Sequence, residues 1–189
     1  MEIGVFTSLW ADLSFEEALD KAVDFGLTAV EIGAGGYPGQ PHCPVDALLE
    51  SEKKREDWLG AIKERGLTLS ALSVHNNPLH PDPAVAEEAD TVIKKAIRLA
   101  SLLGVPTING FSGLPGGTEQ DQMPNWVTCP WPPHFLGILD YQWNDVAIPY
   151  WETIHPLLEE HELTLGFEMH PGMLVYNVDT CLRLRDAVG

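Results

Sequence analysis

Basic side chains are scarce in this sequence: 11 Lys and Arg stand against 28 Asp and Glu, a formal net charge of −17 over 189 residues. So acidic a chain repels the phosphate backbone of nucleic acid and anionic membrane surfaces, and neither is an expected partner. Cysteine is rarer still. Cys43, Cys129 and Cys181 are far apart, odd in number and without a Cys-x-x-Cys pair, which argues against a disulfide framework and a thiolate zinc site. Each is expected to be a small buried or half-buried apolar side chain without chemistry, in a reducing cytoplasm. No stretch reaches the roughly 20 apolar residues that span a bilayer. The first residues lack a basic segment followed by a long apolar run, so neither insertion nor secretion is expected.

What is present, 44% hydrophobic and 21% charged residues, is the composition of a folded chain of one domain. Its organisation is periodic. Ser14 with Glu17 reads as a capping box, Phe15, Ala18, Leu19, Ala22 and Val23 recur at helical spacing, and Gly26 is placed to end the helix. Short β-branched runs flank this helix, Ile3 to Leu9 before it and Leu27 to Ile32 after it. A second helix is predicted over Glu52 to Arg65 with Trp58, Leu59 and Ile62 inward, then a strand from Leu67 to Val74. Asp82 and Pro83 open a third helix that runs to Leu103, and Val105 to Phe111 reads as the fourth strand. The phrases GLTAVEI, GLTLSAL and GVPTING begin at Gly26, Gly66 and Gly104, spacings of 40 and 38 residues. That repetition is what a βα architecture leaves in sequence.

A fourth copy, ELTLGFEMH from Glu162, arrives late because a segment rich in Gly, Pro and Trp intervenes over residues 112–144 and reads as a long loop insertion. The helix before this fifth strand contains Pro149 and Pro156, one of which must start or kink it. A last helix from about Val178 to Val188 is capped by Asn177, and Gly189 stands where the earlier helix-ending glycines stand. The expected fold class is α/β, a parallel (β/α) barrel of TIM type truncated to about five βα units, forming one partial domain over 1–189. Its first and fifth strands would be open edges, which invite pairing with another chain, including a second copy.

Ligands of such sheets bind at the carboxyl ends of the strands. The polar residues there are Glu31, His75 with Asn76, Asn109 and Ser112, and Glu168 with His170. Alternation along the fifth strand puts Glu168 and His170 on one face. A carboxylate buried in a strand should bind a cation, pair with a base or stay protonated. His170, before Pro171 and Gly172, either binds substrate, orients Glu168 or caps a turn, and His75 is either a ligand or an ordinary rim histidine. Glu31 points toward substrate or pairs with a basic side chain. His42 and His80, in Pro-rich loops, read as solvated. Trp126, Trp131, Trp143 and Trp151 suit a sugar-binding wall or a subunit interface, with Trp126 the candidate substrate contact.

FSGLPGG from Phe111, PNWVTCPWPP from Pro124, IPYW from Ile148 and above all GFEMHPGMLVYN from Gly166, followed by LRLRDAVG, resemble the sugar phosphate isomerase/epimerase family of xylose-isomerase-like barrels over essentially the whole chain. The resemblance implies an isomerase or epimerase of a sugar, sugar phosphate or polyol ketone, acting by proton abstraction beside a carbonyl. It also implies one divalent metal, Mn²⁺, Mg²⁺, Co²⁺ or Zn²⁺, held by carboxylates and a histidine. Glu168 matches that family's strand-five metal-binding glutamate, which also serves as an acid/base group. The family's strand-six aspartate, strand-seven histidine and strand-eight carboxylate have no counterpart in these residues, so the chain alone is expected to be inactive. An inosose-type dehydratase, an apurinic endonuclease-like metal hydrolase and a non-catalytic barrel remnant are the alternatives.

Overall fold

Three helices of this chain end in the same way. In the computed structural model, which describes residues 2–189, Gly26, Gly66 and Gly104 take φ of +71°, +71° and +68°. Each donates its N–H back three residues, and the next residue donates back five, as in Leu27 N–H to the Ala22 carbonyl at 3.0 Å and Val105 N–H to the Ala100 carbonyl at 3.0 Å. This is the Schellman closure, which satisfies the last helical carbonyls and turns the chain toward the sheet. The fourth copy keeps the positive φ without the glycine: Glu162 occupies the same place at φ +55°.

The elements so linked are β1 (Gly4–Phe6), α1 (Phe15–Asp24), β2 (Ala29–Gly36), α2 (Val45–Glu50), α3 (Glu52–Glu64), β3 (Thr68–His75), α4 (Pro83–Leu103), β4 (Thr107–Gly110), α5 (His134–Asp140), α6 (Ile148–Glu160), β5 (Thr164–Phe167) and α7 (Val178–Val188). The strands form one parallel five-stranded sheet in the order β1-β2-β3-β4-β5. The chain divides into two compact units, one running up to His75 and including Val92–Asn109 and His161–Gly166, the other formed by Asn76–Thr91, Gly110–Glu160 and Phe167–Gly189.

The first unit carries the sheet. Val30 and Ile32 of β2 and Leu72 of β3 are fully buried, as are Leu19 of α1 and Ile62 of α3, the pattern of a parallel sheet covered by helices. The capping box is present as read, with Glu17 N–H donating to Ser14 Oγ and Ser14 N–H to the Glu17 carboxylate at 2.9 Å. β1 is shorter than expected because a 3₁₀ turn begins at Thr7, whose buried hydroxyl is bonded at 3.0 Å to His42 Nδ1. His42 is thus a correction: it is 2% exposed rather than solvated. Its Nε2–H donates to the Leu13 carbonyl at 3.1 Å, so Nδ1 accepts from Thr7, and its own carbonyl accepts from Trp58 Nε1 at 2.9 Å. β2 runs past Ile32 because its glycines bulge: Gly35 has φ +136°, and a Cβ there would lie 2.6 Å from Val92 Cγ1.

The second unit is mostly helical. Residues 112–144 are irregular only as far as Pro133, since α5, a π-helical segment (Tyr141–Ala147) and α6 follow one another without a break. Pro149 lies just past the junction between the π-helical segment and α6, and Pro156 sits inside α6. Trp143 and Trp151 are 2% and 3% exposed, so two of the four expected wall tryptophans are core. Asn177 caps α7 as read, its side chain accepting from Thr180 N–H at 2.9 Å. Of the cysteines, Cys43 is buried and Cys181 half-buried, whereas Cys129 is exposed, against expectation.

If the left-handed turn is the shared constraint, Glu162→Gly should raise stability by about 0.5–1 kcal/mol and Gly26→Ala should lower it by about 1 kcal/mol, both read from urea unfolding. A loss for both substitutions would show that the turn is not what the glycine relieves. Burial pushes the Cys43 thiol up to about 12, so a thiol reagent at mildly alkaline pH should label Cys129 at once and Cys43 only after denaturation.

Candidate functional site

β3 carries one more residue than β2 between the pairs Val30↔Leu69 and Glu31↔Ala71. The extra residue, Ser70, donates its hydroxyl to the Val30 carbonyl at 3.0 Å. Such a bulge re-aims the side chains that follow it. Beyond it, the first unit assembles a polar row across adjacent strands. Ser73 of β3 donates its hydroxyl to Glu31 Oε1, and Asn109 Nδ2 of β4 donates to Glu31 Oε2 at 2.9 Å. Both carboxylate oxygens of this half-buried glutamate are therefore held by neutral donors, and its partners are a hydroxyl and an amide rather than the basic side chain that sequence reading offered. Gly166 of β5 completes the row, because a Cβ there would lie 2.9 Å from Asn109 Oδ1.

His75, the last residue of β3, is 5% exposed, its ring centroid lies 5.7 Å from that of Phe6, and its carbonyl accepts from Tyr37 N–H at 2.7 Å. Asn76 and Ser112 are buried in structural roles. Asn76 Nδ2 donates to the Ala89 carbonyl at 3.1 Å, and Ser112 Oγ accepts from Val175 N–H at 2.9 Å.

In the second unit β5 ends at Phe167, so Glu168 and His170 stand beyond the strand and are exposed, not buried in it as alternation implied. The backbone keeps its pairing one residue further, with Glu168 N–H donating to the Gly110 carbonyl at 2.9 Å. A turn then closes through His170 N–H to the Val175 carbonyl at 3.2 Å and Met173 N–H to the His170 carbonyl at 3.2 Å. His170 therefore does shape the turn. Its Nδ1–H donates to the Pro171 carbonyl at 2.7 Å, which fixes the tautomer and leaves Nε2 as the basic nitrogen, and its ring packs on Phe111 at 4.7 Å. Trp126 Nε1 donates to the Met173 carbonyl at 3.0 Å and its ring meets that of Tyr176 edge-on at 5.7 Å, leaving the indole 43% exposed.

Sequence reading missed Ser73, whose hydroxyl looks like any other in a strand; only the register to Glu31 reveals it. The donor set for a metal is incomplete. Among the described residues no three His, Cys, Asp or Glu side chains form a group able to hold an ion. The chain offers single carboxylates, Glu168 beyond β5 and Glu31 within its hydrogen-bonded row, and these do not make a metal centre.

The chain is 39% identical, over 192 aligned positions, to the uncharacterized protein YfiH of Bacillus subtilis, matching all of this chain and 61% of that protein. It therefore spans about three-fifths of its relative's length. Among solved structures, an L-ribulose 3-epimerase superposes with a TM-score of 0.63 at 18% identity, covering 100% of this chain and 57% of that one. A xylose isomerase-like TIM barrel protein of Mycobacterium smegmatis, solved in complex with magnesium, gives 0.64 at 15% identity, covering 99% and 61%. At such identities these two establish the fold alone. Residues 19–189 match the family model described as xylose isomerase-like TIM barrel, and the chain belongs to that family.

Proposed function

We propose that the protein to which these residues belong is an isomerase or epimerase of a sugar, sugar phosphate or related polyol ketone that moves a proton beside a carbonyl group. The observation that carries this reading is the placement of Glu168: a carboxylate delivered to solvent immediately past the end of β5, on a backbone still paired to Gly110. Strand carboxyl ends are where barrels of this kind keep their chemistry. Family membership and the fold likeness to an L-ribulose 3-epimerase agree with the reading.

In it Glu168 abstracts or returns the substrate proton. A carboxylate suits that task because its protonation state changes with modest environmental tuning. His170, with Nε2 as its basic nitrogen, accepts a hydrogen bond from a substrate hydroxyl, and His75, at the end of β3, is a further proposed substrate contact. Glu31 is a proposed substrate contact or fixes the strand row of the first unit through Ser73 and Asn109. A divalent cation would supply polarisation of the carbonyl when bound. Glu168 would be one of its ligands, and the remaining ligands would come from outside these 189 residues, in the part of the relative's length that the chain does not span.

The test is isotope wash-in on the full-length protein. Incubated with a ketose in D₂O, it should incorporate deuterium beside the carbonyl, and Glu168→Gln should slow that exchange by about 10²–10⁴-fold while leaving the unfolding free energy within about 0.5 kcal/mol of wild type. Unchanged exchange in Glu168→Gln would move the proton transfer to another residue.

A further inference from the structure

The second unit contains a cavity of about 110 Å³ that the reading above does not use. Its walls are Trp126, Leu139, Trp143, Met173 and Tyr176, and Arg183 of α7 stands in it. The guanidinium carbon of Arg183 lies 4.3 Å from the centre of the Trp143 ring, which is itself 2% exposed, so the cation lies over a core indole. Among the described residues Arg183 makes no ion pair within 4.0 Å, although Asp140 acts on it through its charge. Burial works against its protonated form. Arg183 is an exposed residue, and with no acid paired to it its guanidinium donors remain available to an anion that enters the cavity.

We propose that this cavity binds a small monocarboxylate with an apolar or aromatic body, the carboxylate forked by the Arg183 guanidinium and the body packed between Trp126, Trp143 and Met173. The charge count sets the class. Among the described residues Arg183 is the only cation lining the cavity, so one carboxylate is the most it can pair with, and a phosphate dianion is disfavoured further by the nearby Asp140 and by a net charge of −17. The walls set the body, since three aromatic rings and a thioether reward planar or apolar surface. The size is of the order of the ~150 Å³ apolar cavities that accept benzene.

Benzoate is the probe, and the full-length protein is the material. Benzoate should quench tryptophan fluorescence saturably, and inorganic phosphate should fail to displace it. Arg183→Met should weaken benzoate binding by about tenfold or more, the loss that follows removal of a charge-assisted hydrogen bond. Leu139→Trp, which fills the space and leaves the charge alone, should abolish binding. Two further readings tie the result to this cavity: Arg183→Met must keep the wild-type circular dichroism, and deuterium exchange into a ketose must be unchanged in both variants. If Arg183→Met does not fold, Leu139→Trp decides alone. The proposal fails if wild-type protein shows no saturable quenching, if phosphate competes as well as benzoate, or if Leu139→Trp binds benzoate normally.

Discussion

A chain that alternates helices with parallel strands must reverse direction sharply after every helix, and the residue at that reversal has to carry a positive φ. Gly26, Gly66 and Gly104 meet this demand without steric cost, their missing Cβ atoms opening onto empty space. The demand is therefore one of backbone conformation and not of crowding. Everything downstream inherits it: the closure sets where Thr28, Thr68 and Thr164 enter the sheet, with Thr68 N–H bonded to the Thr28 carbonyl at 2.9 Å and Thr164 N–H to the Pro106 carbonyl at 2.9 Å. Register along each strand follows from that entry point, and with it the faces on which Glu31, Ser73 and Asn109 meet.

The polar row shows how a parallel sheet accommodates a carboxylate inside it. A glutamate between Val30 and Ile32 cannot stand unpartnered without a large desolvation cost. Here a hydroxyl from one neighbouring strand and an amide from the next supply the hydrogen bonds that water would have given. Because Asn109 reaches from β4 to Glu31, its other amide atom lies against β5, and a side chain at position 166 would press on it. Four strands are thereby coupled through three side chains and one missing side chain.

Most of the fold was legible because its signals are local. Capping at Ser14 and Asn177, the glycine stops and the apolar spacing of α1 each depend on residues within one or two turns. What misled was tertiary. His42 looked like a loop histidine, and nothing nearby in sequence announces that Thr7, Leu13 and Trp58 would enclose it. Strand alternation carried through to His170 on paper, but the turn at Pro171 and Gly172 draws the chain away after Phe167, so Glu168 and His170 are exposed instead of buried. Of the tryptophans, composition could not separate Trp143 and Trp151, which build the core, from Trp126 and Trp131, which face solvent.

The helical run from His134 to Glu160 has its own arithmetic. An α-helix advances about 100° per residue, and a π turn fits one more residue between hydrogen-bonded partners, so the segment Tyr141–Ala147 resets the phase of everything after it. Gln142 and Trp143 sit in this segment, the former donating its amide to the carbonyls of Pro115, Gly116 and Asn125 at 3.3, 3.1 and 2.6 Å. Downstream, Trp151, Ile154 and Leu158 face the core in the phase so set. Length and orientation are locked together here: a residue gained or lost without a compensating change in the π segment would turn those three side chains by about 100° from the core.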